Sequence, residues 1–136
     1  MELIRHSRPL LGREEERAAV AALRSSFLAE GPQVAALERA VAAGLGRPGA
    51  VAVSSGTAAL ALALRAVGAA EGCEVIVPSY VCTSVLDAVL SVGAEPRVVD
   101  VSLEDLNIDA AAVRGALSAR TAAVIAATTS GGRPAR

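Results

Sequence analysis

The run over residues 50–80, AVAVSSGTAALALALRAVGAAEGCEVIVPSY, leaves few folds open. It reads as a short apolar strand at 51–53, a Ser-Ser-Gly-Thr turn at 54–57, a helix over 58–67, and a second buried strand closed by Pro78. β-Branched residues favour the strands, and the Ala- and Leu-rich stretch favours the helix. Leu60, Leu62 and Leu64 make that helix apolar on more than one face, as expected where a helix lies on a sheet and is covered by other elements. The turn that opens the helix has chemical interest. Backbone N–H groups and the positive end of the helix dipole converge there, an arrangement that holds anions. Taken alone, a Ser or Thr in that place is more often a cap for orphan N–H groups.

The rest of the chain alternates in the same way. Gly12 is expected to open a first helix, with Glu14, Glu15 and Glu16 in its first turn, Val20 and Leu23 on its apolar face, and Ser25 and Ser26 at its end. Gly31-Pro32 breaks the chain before a second helix over 33–43, whose Val34, Leu37 and Val41 form a core-facing stripe, and Gly44 and Gly46 stop it. After the strand at 74–77, a helix over 83–90 ends at Gly93, and a third strand covers 97–101. Asp109 is placed to cap a helix over 110–117, and 122–127 reads as a fourth strand. Apolar strands alternating with helices indicate an α/β fold with a mainly parallel sheet, in one domain over 1–136. Ligands of such sheets collect at the carboxyl ends of strands. The turns at 54–57 and 78–80 are therefore expected to share a crevice.

Composition narrows the function. The formal net charge is −1 and no basic block exists, which argues against a nucleic-acid partner. The longest apolar run begins at Ala58 and is interrupted by Arg65, so no membrane span is expected, and the start MELIRHSRPL lacks the apolar core of a signal peptide. Cys73 and Cys82 are too few for a disulfide framework and match no zinc spacing, and His6 has no second histidine with which to share a metal. A cytoplasmic protein is the expectation. All 13 basic residues are arginine, so no side chain can form a lysine Schiff base.

The succession SRPLLG, FLAEGPQVAALE, AVAVSSGTAAL, EVIVPSYVCTSVLDAVLSVGAEPRVVDV and LNID closely resembles the N-terminal part of the DegT/DnrJ/StrS aminotransferases. The resemblance covers residues 4–127, with the motifs in family order. It implies part of the three-layer α/β/α large domain of the aspartate-aminotransferase-like fold (PLP fold type I), with pyridoxal 5'-phosphate (PLP) as cofactor. It also implies homodimers, and transfer of an amino group, typically from glutamate, to a keto-sugar nucleotide. Ser55, Gly56 and Thr57 match the turn that holds the PLP phosphate through backbone amides and a hydroxyl, Ser55 also capping the helix. Where the family usually places an aromatic on the pyridine ring, this chain has Cys82, which offers van der Waals contact but no π-face. A small buried hydrophobe is the other reading of Cys82, and Tyr80 lies two residues earlier. Asp100 matches a family aspartate of a strand end and is read as structural.

Transamination with PLP needs a Schiff-base lysine, an acid at the ring nitrogen and a phosphate cradle. Only the cradle is matched here, since the family's lysine and ring-nitrogen aspartate belong to later segments. Near residue 136 the pattern departs: Thr129 stands for an expected His and Arg136 for an Asp, while Gly132, Pro134 and Ala135 still fit. The expectation is a truncated, split or frameshifted reading frame whose product is weakly stable and inactive alone. A non-catalytic α/β module that binds a phosphate-bearing ligand, or pairs with an intact homologue, is the alternative.

Overall fold

The computed structural model describes residues 9–128. The readings made of His6 and of residues 129–136 lie outside them. The chain divides into two units, one running to Ala52 and the other beginning at Val53.

The first unit holds α1 (Arg13–Ser25) and α2 (Pro32–Gly44). The N–H of Gly12 donates to Glu15 Oε2 at 2.7 Å, and three glutamates fill the first turn of α1, where the dipole favours them. Pro32 opens α2, in the position where a missing N–H is harmless. Both helices lie where periodicity places them, but their stripes are not core. Among the described residues α1 buries no side chain and α2 buries only Ala42, while Leu23, Leu37 and Val41 are exposed. An amphipathic stripe becomes core only where another element covers it, and two helices are too few to enclose both stripes.

Residues 51–53, expected as a buried strand, carry no ladder. Val51 is 72% exposed, and the N–H of Ala52 donates to Glu38 Oε1 at 2.9 Å instead of to a neighbouring strand. A β-prone sequence pairs only when a partner edge is offered.

The second unit is a parallel sheet with helices. Its elements are α3 (Gly56–Ala66), β1 (Glu74–Pro78), α4 (Thr83–Ser91), β2 (Glu95–Val99), α5 (Ala110–Ala116) and β3 (Thr121–Val124), and the strand order is β2-β1-β3. Among the described residues three parallel strands thus stand where four were expected. β2 begins at Glu95, since α4 is stopped by Gly93 at φ +81 and Ala94 is already buried. Its end at Val99 matches the end of β1, because Val99 pairs with Pro78. Central β1 is buried throughout, as a strand covered on both faces must be. Val75 and Val77 pack with Leu64 of α3, Val85 and Val89 of α4, Ala69 and Ala94. Ile76 points to the opposite face, and with β2 and β3 on opposite sides of β1 the right-handed crossover rule places α4 and α5 on opposite faces. α3 is buried on one face rather than several: Leu64 is 4% exposed and Leu62 49%.

Candidate functional site

The carboxyl end of β1 makes the opening. Strand N–H groups alternate in direction: that of Ser79 bonds the Val99 carbonyl of β2 at 2.8 Å, and that of Glu74 bonds the Arg120 carbonyl on the β3 side at 2.8 Å. Residue 78 therefore faces β3, but Pro78 has no N–H to give. The last β1–β3 rung is Ile125 N–H to the Ile76 carbonyl at 2.8 Å, and beyond it the chains part. This is why β3 stops at Val124, three residues short of the expected end. Into the gap Ser79, Tyr80, Val81 and Cys82 face Ala127 and Thr128, around a cavity of about 480 Å³.

Cys82 stands at the N-cap of α4 and is exposed, which removes the reading of it as a buried hydrophobe. Its Sγ lies 2.7 Å from Ser84 Oγ. That hydrogen bond, aided by backbone N–H groups of the first turn and opposed by partial desolvation, holds the thiol below its ordinary pKa. Tyr80, on the same rim, is 57% exposed.

The second feature is the start of α3. Ser55 is its N-cap, with Oγ accepting the Ala58 N–H at 3.1 Å, so the expected cap is formed. The N–H groups of Gly56 and Thr57 precede the first helical bond, from Ala59 N–H to the Ser55 carbonyl at 3.0 Å. Nothing lies within 4 Å of where a Cβ on Gly56 would stand, so the turn is open to an approaching group. Ser55, Gly56 and Thr57 do not line the groove below Pro78, which draws on only one of the two turns expected to share a crevice.

Asp109 caps α5, its Oδ1 accepting the Ala111 N–H at 2.8 Å. Asp100 takes part through its backbone, its carbonyl accepting the Asp109 N–H at 3.4 Å beside the antiparallel Val101–Ile108 bridge. A cavity of about 530 Å³ lies there, with Ser102, Asp105, Asn107, Arg114 and Ala126 on its wall. Among the described residues no group of His, Cys, Asp and Glu is arranged for a metal ion, and no helix is long and apolar enough to cross a membrane. Ala127 and Thr128 are the groove residues that sequence reasoning missed. Their signal was the proline, whose lost rung frees the chain opposite it.

Comparison with known proteins bears on these features. The family model of the DegT/DnrJ/EryC1/StrS aminotransferases matches residues 9–135. The chain is 40% identical over 120 residues to the spore coat polysaccharide biosynthesis protein SpsC of Bacillus subtilis (strain 168), covering 88% of this chain and 31% of SpsC. Its structure is similar to Spr1654 of Streptococcus pneumoniae in a PMP form, a protein assigned as a sugar aminotransferase (TM-score 0.85, 32% identity, 90% of this chain and 31% of that one). It is also similar to 3-amino-5-hydroxybenzoic acid synthase (TM-score 0.86, 33% identity, 94% and 34%). The chain spans about a third of the length of the relatives it matches.

Proposed function

The chain belongs to the DegT/DnrJ/EryC1/StrS aminotransferase family, and on that premise we propose that it is the phosphate-holding part of a PLP-dependent sugar aminotransferase. In the whole enzyme the reaction is transfer of an amino group, with glutamate as donor, to a nucleotide-linked keto-sugar, and the working unit is a homodimer. The observation that carries this reading is the start of α3, where a formed Ser55 cap leaves the Gly56 and Thr57 amides ahead of the first helical bond and nothing stands within 4 Å of where a Gly56 Cβ would be. Such a terminus suits a phosphate dianion.

The residues present fit one end of the cofactor. The Gly56 and Thr57 amides and the Thr57 hydroxyl would hold the phosphate, while Cys82, which lines the separate groove at the end of β1, would offer the ring van der Waals contact but no π-face. PLP, when bound, supplies the electron sink for transamination. The chain has no lysine, so the Schiff-base amine comes from beyond these 136 residues, and alone they bind without turnover.

Titration with PLP, followed by absorbance, tests this. Saturable binding that inorganic phosphate displaces, weakened in Thr57→Ala, is the expected result, with no pyridoxyl group fixed to a side chain by borohydride. Binding untouched by phosphate and by Thr57→Ala overturns the assignment of the cradle. The absence of lysine also favours a second reading, a module that binds phosphate-bearing ligands without chemistry. Addition of a lysine-bearing homologue separates the two: transaminase activity that depends on this chain supports only the first.

A further inference from the structure

At the amino end of the sheet, away from the groove, one carboxylate ties the strands together. Glu74 opens β1 and is 3% exposed. Its Oε2 accepts from Ser118 Oγ at 2.7 Å, its Oε1 takes a guanidinium N–H of Arg120, and its own N–H donates to the Arg120 carbonyl at 2.8 Å. The other arm of Arg120 donates to Glu95 Oε2, at the start of β2, at 3.3 Å. Arg120 immediately precedes β3, so a single residue grips all three strand starts.

β3 carries an irregularity just after this grip. Glu74 stands opposite Thr121, yet Val75 stands opposite Ala123, so Ala122 is an extra residue. From there the phase of the chain determines what meets each cavity: Ala126 lines the one near Arg114, and Ala127 and Thr128 line the groove with Cys82. Loss of the bulge slides these residues by about 3.3 Å along β1 and exchanges their faces. The sequence TAAVIAA resists such a slip poorly, because neighbouring positions carry like residues and a hydrophobic pattern specifies register only where the faces differ.

We infer that the Glu74–Ser118–Arg120 clasp is a register lock, holding the bulge at Ala122 and so presenting Ala127 and Thr128, rather than their neighbours, to the groove. The lock operates whatever the groove holds. The charged groups around Glu74 are Arg120 and Arg97, which favour its ionised form, and Glu95, which shares the Arg120 fork. With the Ser118 hydrogen bond as the largest cause, and against the effect of burial, they hold its carboxyl below the ordinary range. The lock is closed at neutral pH and is released when Glu74 gains a proton.

Site-resolved amide hydrogen exchange by NMR tests it on the whole chain. In the native register the Ile125 N–H is bonded to the Ile76 carbonyl; after a one-residue slip the N–H in that place is Val124's. Glu74→Gln is expected to speed Ile125 exchange by roughly tenfold or more relative to the α4 amides, with protection moving toward Val124. Arg120→Lys, which keeps the charge but not the fork, gives a smaller change in the same direction. Equal loss at Ile125 and in α4, or unchanged Ile125 protection, overturns the lock. Should Glu74→Gln fail to fold, acidification of the wild-type chain reads the same quantity. Ile125 losing protection before the α4 amides supports the lock, and a single common transition overturns it.

Discussion

Cys82 Sγ and Ser84 Oγ lie 2.7 Å apart at the exposed N-terminus of α4. The thiol of Cys73, by contrast, is half-buried against the core and donates to the Gly68 carbonyl at 3.9 Å. Alkylation follows the thiolate, so iodoacetamide is expected to modify Cys82 well before Cys73 at neutral pH. The midpoint of the Cys82 rate–pH profile falls below that of an ordinary free thiol, and Ser84→Ala raises it. Mass spectrometry of the labelled peptides measures both. Equal labelling of the two cysteines refutes the expectation.

Ser55→Ala removes the acceptor of the Ala58 N–H and is expected to destabilise the chain by about 1 kcal/mol. Asp109→Ala, which strips the cap from α5, falls in the same range of about 1 kcal/mol. Urea titrations give both values. If phosphate binds at the start of α3, only the Ser55 variant changes PLP affinity as well.

Acid weakens the fold through named carboxylates. Glu74 is held below its ordinary pKa chiefly by Ser118, and Asp105 chiefly by the Asn107 N–H at 3.0 Å, followed by the Asn107 side-chain amide at 2.7 Å. A depressed folded pKa contributes stability that is complete above the unfolded value and lost as pH falls through the folded one. Thermal melts are therefore expected to be flat above the ordinary range of about 3.9–4.3 and to move to lower temperature below it. Asp105→Asn shrinks that dependence.

The two faces of α3 separate in mutational cost. Leu64→Ala leaves a hole beside Val75, Val77 and Val89 and is expected to destabilise by about 2–5 kcal/mol. Leu62→Ala, on the exposed face, stays within about 0.5 kcal/mol. Equal losses in denaturant titrations contradict the one-sided burial of α3.

Helices and their stops were legible because their signals are local. Gly12, Pro32, Ser55, Gly93 and Asp109 each mark a helix end through backbone chemistry that needs no distant partner. Burial was not legible in the same way. Leu37, Val41 and Val51 carry the pattern of a core, yet their exposure depends on which elements are present to cover them. The β3 boundary and the groove residues Ala127 and Thr128 depended on a proline 46 or more positions earlier, acting across the sheet. The Glu74–Arg120 contact joins residues 46 apart, and no periodicity announces it. At the candidate site Ser55 was read as the cap it proves to be, while Cys82, open to two readings, is exposed at the groove.

Pro78 has a thermodynamic consequence for anything that enters the groove. Two parallel strands with complementary edges compete with a guest, because closing them forms backbone bonds that the guest must first undo. A missing hydrogen atom at residue 78 withdraws that competitor. The opening is set when the sheet forms, so occupancy breaks no rung and departure restores none. Affinity and residence time then depend on the contacts the occupant makes with Ser79, Tyr80, Cys82 and Thr128 themselves, in a space organised before its arrival.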